Sequence, residues 1–477
     1  MTGPLTPFEW QELDIARLLE HGATGFVVAE TGAGKSLIGI ETAARSGAET
    51  ILVVAPKGTH ERVWREGILR QRPDAVVRRL EGTPDGKDAL DALEWGEPGW
   101  YVITPQLLTR WKLDGVRPDM VIVDEAHLLA NRQSAGSKVL RKIKSPRRVV
   151  MSGTMVRNKV ENFWSLLRWV YPHLNGPRQL ADVNYERWVT EWMATRWDRF
   201  APGNRVVVGE RVPGRIAATV PCYVQHFKRQ RCCDHHPHGF LEGLPEPIRI
   251  TESVELLPEQ RRLIDRMEKT YMAWLESEAR EAGDRKALVA KLPIVARTRL
   301  RQMALAVPSF DADDEIVFAP DAPSPKYDAL LEIVRKVGEP VVAATSSKRF
   351  AEYVVRRLTA DGLRAFEWSS SATERARNEA LRDFEQGGYD VIVGVTEAIG
   401  TGIDGLQAAS GVLVSLERSD DLTSEIQLEG RLDRRGQRRE EGVLHYELIA
   451  EGSMDLGIVS RQLQRRLKLN ASLRRAA

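Results

Sequence analysis

The sequence predicts an α/β protein of two lobes, each a parallel sheet wrapped by helices and carrying helical insertions. Three observations carry this reading. A length of 477 residues exceeds what one core ordinarily fills. Short, almost continuous apolar runs recur with helical stretches between them: "FVVAE" from Phe26, "ILVVAP" from Ile51, "YVITP" from Tyr101, "MVIVDE" from Met120 and "RVVMSGT" from Arg148. Runs without polar alternation are what strands covered on both faces look like. The series then stops and restarts, with "PVVAATS" from Pro340, "VIVGVT" from Val391, "GVLVSLE" from Gly411 and "HYELIA" from His445.

The first lobe is assigned to residues 1–245, with a helical insertion near 158–205 and a Cys/His-rich connecting segment. The second is assigned to residues 246–477, with a helical insertion near 258–306 and a Pro- and Asp-rich linker over 308–325. Five tryptophans between the two strand series, Trp164, Trp169, Trp188, Trp192 and Trp197, read as helix-packing core.

Composition narrows the function classes. With 42% apolar and 29% charged residues the chain is of the soluble globular type. Lys and Arg number 69 against 67 Asp and Glu, so any grip on nucleic acid must come from local basic patches. No run of about 18 apolar residues and no basic segment followed by an apolar leader occurs, which implies no membrane partner and a cytoplasmic or nucleoid-associated chain. Three cysteines cannot build a disulfide framework. Cys222, Cys232 and Cys233, with His235, His236 and His238, offer the ligand types that zinc takes. Their adjacent pairs do not fit the usual two-to-four-residue spacing, so the segment reads as a polar loop.

"AETGAGKS", from Ala29 to Ser36, follows the first strand and opens a helical stretch. Backbone N–H groups of Thr31, Gly32, Ala33 and Gly34 at a helix N-terminus make an anion cradle, and the glycines let the chain curl around phosphates. Lys35 would reach the terminal phosphates of ATP and the Ser36 hydroxyl would ligate Mg2+. At the end of a later strand, Asp124 is the second candidate for holding Mg2+ and Glu125 the candidate for polarising the attacking water.

These residues and those of the second strand series resemble the superfamily-two motors, and among them the Swi/Snf-type ATP-dependent translocases on double-stranded DNA. "DEAHLLANRQS" is similar to the family's second motif, with Asn131 and Ser134 beyond the acidic pair. "RRVVMSGTMVRN" is similar to the next, through Ser152, Gly153, Thr154 and Asn158, with Met155 where the family usually has Pro. "SSSATERARNEALRDFEQG", with Arg375, "VTEAIGTGIDG", with Thr396, Gly400, Gly402 and Ile403, and "QLEGRLDRRGQ", with Gln427, Gly430, Arg431, Arg434, Gly436 and Gln437, continue the likeness. The resemblance implies two RecA-like lobes, an ATP- and Mg2+-dependent ATPase stimulated by nucleic acid, and arginine fingers at Arg431 and Arg434. Three apart on a predicted helix, the two arginines share one face. Asp404 stands where the Swi/Snf-type pattern usually has Asn; in other superfamily-two helicases that Asp contacts the ATP ribose. Glu9, after Phe8, stands at the adenine-reading pair, with Gln11 two residues on; Gly402 and Gln427 complete the nucleotide-binding set.

Lys57, Thr59, Arg62 and Thr104 in the first lobe, and Ser346, Lys348 and Thr396 in the second, are the candidates for backbone contact with DNA. Contacts to about six phosphates give a log–log salt slope near −5. The C-terminal stripe of Val459, Leu463 and Leu467 is expected to pack on the second lobe. The reading is a monomeric motor on duplex DNA that remodels or displaces bound factors or branched structures. A strand-separating 3′–5′ helicase on single-stranded DNA or RNA, and a nucleotide-gated scaffold without turnover, are the alternatives.

Overall fold

The computed structural model describes residues 3–471 apart from 112, 114, 154–159, 173–183, 198–204, 230–238, 242, 282–291, 314, 370–371 and 403–404. Thr154, Met155, Asn158, Cys232, Cys233, His235, His236, His238, Ile403 and Asp404 therefore lie outside the described residues. The chain divides into two compact units, one built on Met1–Glu242 and one on Gly243–Gln464.

The first unit holds a sheet of β1 (Gly25–Ala29), β2 (Thr50–Val54), β3 (Val77–Leu80), β4 (Gly99–Ile103), β5 (Met120–Val123) and β6 (Arg147–Ser152). After an antiparallel hairpin of β7 (Met193–Trp197) and β8 (Arg205–Glu210), β9 (Tyr223–His226) completes it. All seven strands run parallel in the order β3-β4-β2-β5-β6-β1-β9. β1, β2, β4 and β5 are buried along their whole length, as strands with helices on both faces must be. β1 and β5 both pair with β6, so the segments that leave the carboxyl ends of β1, β6 and β5 emerge side by side. The sequence of this fold thus delivers three loops to one place, where open α/β sheets bind ligands.

The second unit has β10 (Ile248–Val254), a short hairpin of β11 (Ser309–Phe310) and β12 (Ile316–Val317), then β13 (Val341–Thr345), β14 (Ala365–Trp368), β15 (Val391–Val395), β16 (Val412–Ser415) and β17 (Leu444–Ala450). Its six-stranded sheet is also parallel, ordered β10-β17-β16-β13-β15-β14. One face packs a core around Tyr327, Phe350 and Tyr353, the other a core around Phe384, Ile399 and Leu428.

Three expectations change. The insertion near 158–205 is not helical throughout: the helices Phe163–Val170 and Tyr185–Trp192 are followed by the β7–β8 hairpin. Trp164, Trp169, Trp188 and Trp192 are buried, but Trp197, at the end of β7, is 70% exposed, because that strand has a partner on only one side. On the last helix, Asp455–Ala471, the buried positions are Asp455, Ile458 and Gln462, whereas Leu463 is 60% exposed. The three-to-four-residue helical spacing holds, one position away from the expected stripe.

Candidate active site

Glu30 to Gly34 link β1 to the helix Lys35–Arg45. Gly32 (φ +90°) and Gly34 (φ +72°) turn through the left-handed region that side chains disfavour. At Gly34 an added Cβ would also lie 2.5 Å from Gln11 Nε2 and so would push that amide off the loop. Gln11 is 2% exposed, and its Nε2 donates to the Ala33 carbonyl at 2.9 Å while its Oε1 accepts from the Phe8 N–H at 2.9 Å. Gln11 therefore braces the phosphate loop from the first helix, whereas Glu9 points into solvent on the helix's first turn. Thr31 and Ser36 are half-buried, and Lys35 is buried with Nζ donating to the carbonyls of Ala29 (2.7 Å) and Glu30 (3.5 Å).

The acidic pair ends β5. Glu125 adopts φ +47°, ψ +50°, a left-handed conformation that costs a non-glycine residue on the order of 1 kcal/mol. The turn sends the two carboxylates in different directions. Asp124 is 6% exposed and accepts from Trp64 Nε1 at 3.1 Å and from the Glu125 N–H at 2.9 Å. Glu125 accepts from Ser152 Oγ at 3.3 Å, and its Oε2 lies 3.2 Å from His127 Nδ1, which is itself 3.0 Å from Ser152 Oγ. Burial first, and then the neighbouring Glu125 charge, push the Asp124 pKa up, against the pull of Lys35. A carboxylate so placed gains from a cation. The oxygens of Asp124 and the Ser36 hydroxyl are the hard donors that Mg2+ takes, so the residues present fit the ion.

β6 supplies the third side. Its last residue, Ser152, carries the link to Glu125, and a Cβ on Gly153 would sit 3.9 Å from Lys35 Nζ and from the Thr31 nitrogen. Trp64 and His127 are site residues that sequence reasoning did not select. The signal is present, since Thr59 and Arg62 precede Trp64 closely and the acidic pair precedes His127 in the quoted "DEAHLLANRQS". Trp64 reaches Asp124 from the wide, π-helical turn His60–Arg65.

Asn131 and Ser134 fold their own loop. Asn131 Oδ1 accepts from the Gln133 N–H, and Ser134 Oγ caps the helix Ala135–Leu140 by accepting from the Ser137 N–H at 3.2 Å.

In the second unit, the helix Leu422–Leu432 packs tightly on Thr396–Gly402: a Cβ on Gly400 would meet Gln427 Cβ and the Ser424 carbonyl at 3.3 Å. Gln427 is buried, and Arg431 Nε donates to the Gly400 carbonyl at 2.7 Å. Arg434 does not share a helical face with Arg431. The helix ends at Leu432, and Arg434 lies in the following turn with Nε donating back to the Gly430 carbonyl at 2.8 Å. Gly436 (φ +79°) continues that turn, so the backbone reverses there instead of extending the helix. Gly402 closes the neighbouring helix.

The candidates for nucleic-acid contact divide. Lys57, Arg62 and Lys348 are exposed, and Thr59 is half-buried with its hydroxyl donating to the Pro56 carbonyl. Thr104 is 8% exposed, and its hydroxyl caps the helix Pro105–Trp111 by accepting from the Leu107 N–H at 3.1 Å. Thr396 is 1% exposed, with its hydroxyl directed at the Thr345 carbonyl. Ser346 is held by Arg301 Nη2 through its hydroxyl and by Glu417 through its N–H. Buried or capping hydroxyls are not presented to an external phosphate, so Thr104 and Thr396 are corrected to structural roles. Cys222 lies in the core at 0% exposure, with Sγ toward the Arg17 carbonyl.

Residues 17–191 match the SNF2-related domain and residues 325–436 the helicase conserved C-terminal domain. The chain carries an SNF2-related domain followed by a helicase conserved C-terminal domain. The first match contains Lys35, Asp124, Glu125 and Ser152, and the second contains Gln427, Arg431 and Arg434. The chain is 27% identical over 196 residues to the ISWI chromatin-remodeling complex ATPase ISW2 of Saccharomyces cerevisiae, a match covering 39% of this chain and 17% of that protein. It is 27% identical over 180 residues to the human SWI/SNF-related matrix-associated actin-dependent regulator of chromatin subfamily A member 1, covering 36% and 17%. The match thus spans about a sixth of the length of either relative. Among solved structures, the Sulfolobus solfataricus SWI2/SNF2 ATPase core in complex with dsDNA is similar with a TM-score of 0.41 and 17% identity, over 99% of this chain and 96% of that one. Among the described residues no helix is long and apolar enough to cross a membrane.

Proposed function

We propose that the protein is an ATP-driven motor that hydrolyses ATP and translocates on double-stranded DNA without sequence preference, displacing or remodelling what is bound there. The observation that carries this reading is the convergence of Lys35, Asp124 and Glu125 from the ends of β1 and β5, with Ser152 of β6 and the following Gly153 between them. The loop N–H groups and Lys35 bind the phosphates, while Gln11 holds the loop's shape. Ser36 and Asp124 would hold Mg2+, which would supply positive charge to offset that of the phosphates. Glu125, oriented by Ser152 and His127, aligns the attacking water and accepts its proton. Arg431 and Arg434 stabilise the charge that builds on the transferred phosphate. The curated relatives are chromatin-remodelling ATPases by name, which supports duplex DNA as the track. A cytoplasmic or nucleoid-associated monomer accords with this role.

The test is ATP hydrolysis with duplex DNA, single-stranded DNA and RNA, alongside triplex displacement and strand separation. Duplex-stimulated turnover with triplex displacement and no unwinding is expected. Stimulation by single strands together with unwinding overturns the duplex-tracking reading in favour of a strand-separating helicase. A Glu125→Gln protein should retain ATP binding and lose hydrolysis; unchanged turnover would reject the assignment of the water-activating group.

A further inference from the structure

The first unit has a second concave site, at the opposite edge of its sheet. A cavity of about 840 Å³ opens beside the amino ends of β5 and β6. Five cationic side chains line it, Arg117, Arg141, Lys144, Arg148 and Arg168, and no acidic residue does among the described residues. The six residues of β6 separate this edge from the phosphate loop by about 20 Å.

The cations are built in to different depths. Arg117, Lys144 and Arg168 are exposed, and Arg168 lies over the Trp164 ring at 5.4 Å. Arg148 is half-buried: one N–H donates to the Trp169 carbonyl at 2.5 Å, and its buried Nε has no hydrogen-bond partner among the described residues. Arg141 is fixed by the hydroxyls of Ser137 and Ser165 and by the Arg132 carbonyl, all neutral acceptors. Burial first, then nearby Arg168 and Arg132, pull the Arg141 pKa down, as expected where like charges gather without a counter-charge. Elsewhere in the chain, buried arginines are answered by carboxylates, as Arg418 is by Glu425, Glu429 and Glu447. Folding therefore gathers five positive charges with no carboxylate among the described residues that line the pocket.

We infer that this pocket binds a compact run of phosphates, supplied either by a nucleic-acid strand or by a free polyphosphate. The volume is that of a small-molecule site, not of a flat protein interface. Arginine forks match phosphate oxygens two at a time, and several charges in so small a space call for a ligand of high charge density. Trp164 (8% exposed) and Trp169 (3% exposed) form an apolar wall behind the cations and not a stacking platform, so the contact reads phosphate and not base. The site does not depend on the motor reading, since it shares no residue with the phosphate loop.

The probe is inorganic tripolyphosphate, titrated calorimetrically into the full chain with the phosphate loop saturated by Mg2+ and a non-hydrolysable ATP analogue. One further equivalent should bind. Arg117→Glu combined with Lys144→Glu, both at exposed positions, should weaken binding by at least about tenfold, and Arg168→Gln should give a smaller loss. Lys87→Glu, an exposed charge reversal on the helix Pro84–Glu94, should leave it unchanged. Absence of binding to the unmodified chain, or equal binding by the double variant with native circular dichroism, overturns the proposal. Excess duplex DNA then identifies the source: expulsion of tripolyphosphate assigns the pocket to a nucleic-acid backbone, and simultaneous binding assigns it to a free polyphosphate. Failure of ATP hydrolysis would count against the motor and leave this result standing.

Discussion

The carboxyl edge of the first sheet and the buried charge network of the second unit treat charge in opposite ways. At the first, Lys35 donates to two backbone carbonyls, and Asp124 and Glu125 are met by the neutral donors Trp64 and Ser152 and by His127. In the buried network of the second unit, Arg301 meets Glu417 and Asp420, Arg249 meets Glu429 and Glu447, and Arg418 meets Glu425, Glu429 and Glu447. The first edge keeps charge available for a ligand, at the cost of an elevated carboxylate pKa and a strained backbone at Glu125. The second uses its charge to hold the fold. Buried pairs of that sort are costly to break because a lone partner stays desolvated.

The largest effect should come from the first edge. Lys35→Ala should lower ATP hydrolysis on the order of 10² to 10³-fold, with little change in the melting of the chain, because its partners are carbonyls that also serve the loop. Normal hydrolysis by this variant would break the contrast at its root. Arg418→Ala should do the reverse. It should destabilise the second unit by about 3 to 5 kcal/mol in denaturant titration, by leaving Glu425 buried without its cation and Glu447 with Arg249 alone. A variant with an unchanged midpoint would show that the network is not structural.

The pH dependence sharpens the same point. Burial raises the Glu425 pKa from 4.5 to about 7, so between those values the unfolded chain releases a proton that the folded chain keeps, and stability falls as pH rises. Burial lowers the His445 pKa from 6.5 to about 4. Arg249 donates to its Nδ1 at 3.1 Å, so the ring is neutral with its proton on Nε2 toward Ser415 Oγ, and stability rises with pH from about 4 to 6.5. Each amounts to at most about 3 kcal/mol, and they oppose each other between pH 4.5 and 6.5. Glu425→Gln should leave a stability that climbs across that window, and His445→Gln one that declines, in midpoints measured as a function of pH. A flat profile in both variants would remove the two groups from the account.

The central strands were legible because burial on both faces leaves an unbroken apolar run, as in β2 or β13. Edge strands were not: β3 reads VRRL, β10 reads IRITESV and β14 reads AFEW, each only partly buried, with polar residues breaking the apolar run. The phosphate loop and the acidic pair were legible because their chemistry demands particular residues at fixed offsets. Hydroxyls were the failure. Thr104 stands where the chain turns into a helix, and a hydroxyl that caps a helix looks in sequence like one that waits for a phosphate. Only the position of the following N–H distinguishes them, and that is a property of the fold.

Ser134 gives the smallest and most discriminating test. In sequence it marks the resemblance to duplex-tracking motors; in the fold its Oγ accepts from the Ser137 N–H and donates to the Asn131 carbonyl at 2.8 Å. Ser137 Oγ is in turn 2.7 Å from Ser165 Oγ, so the cap places the helix Ala135–Leu140 against Phe163–Val170. Ser134→Ala should cost about 1 kcal/mol of stability in the first unit, and Ser134→Asp, which can still cap, should restore it. Hydrolysis per folded molecule should stay unchanged in both. If Ser134→Ala instead abolishes stimulation by DNA while the melting midpoint holds, the hydroxyl acts outside the fold, and the line between fold-holding and ligand-facing groups has to be redrawn through that loop.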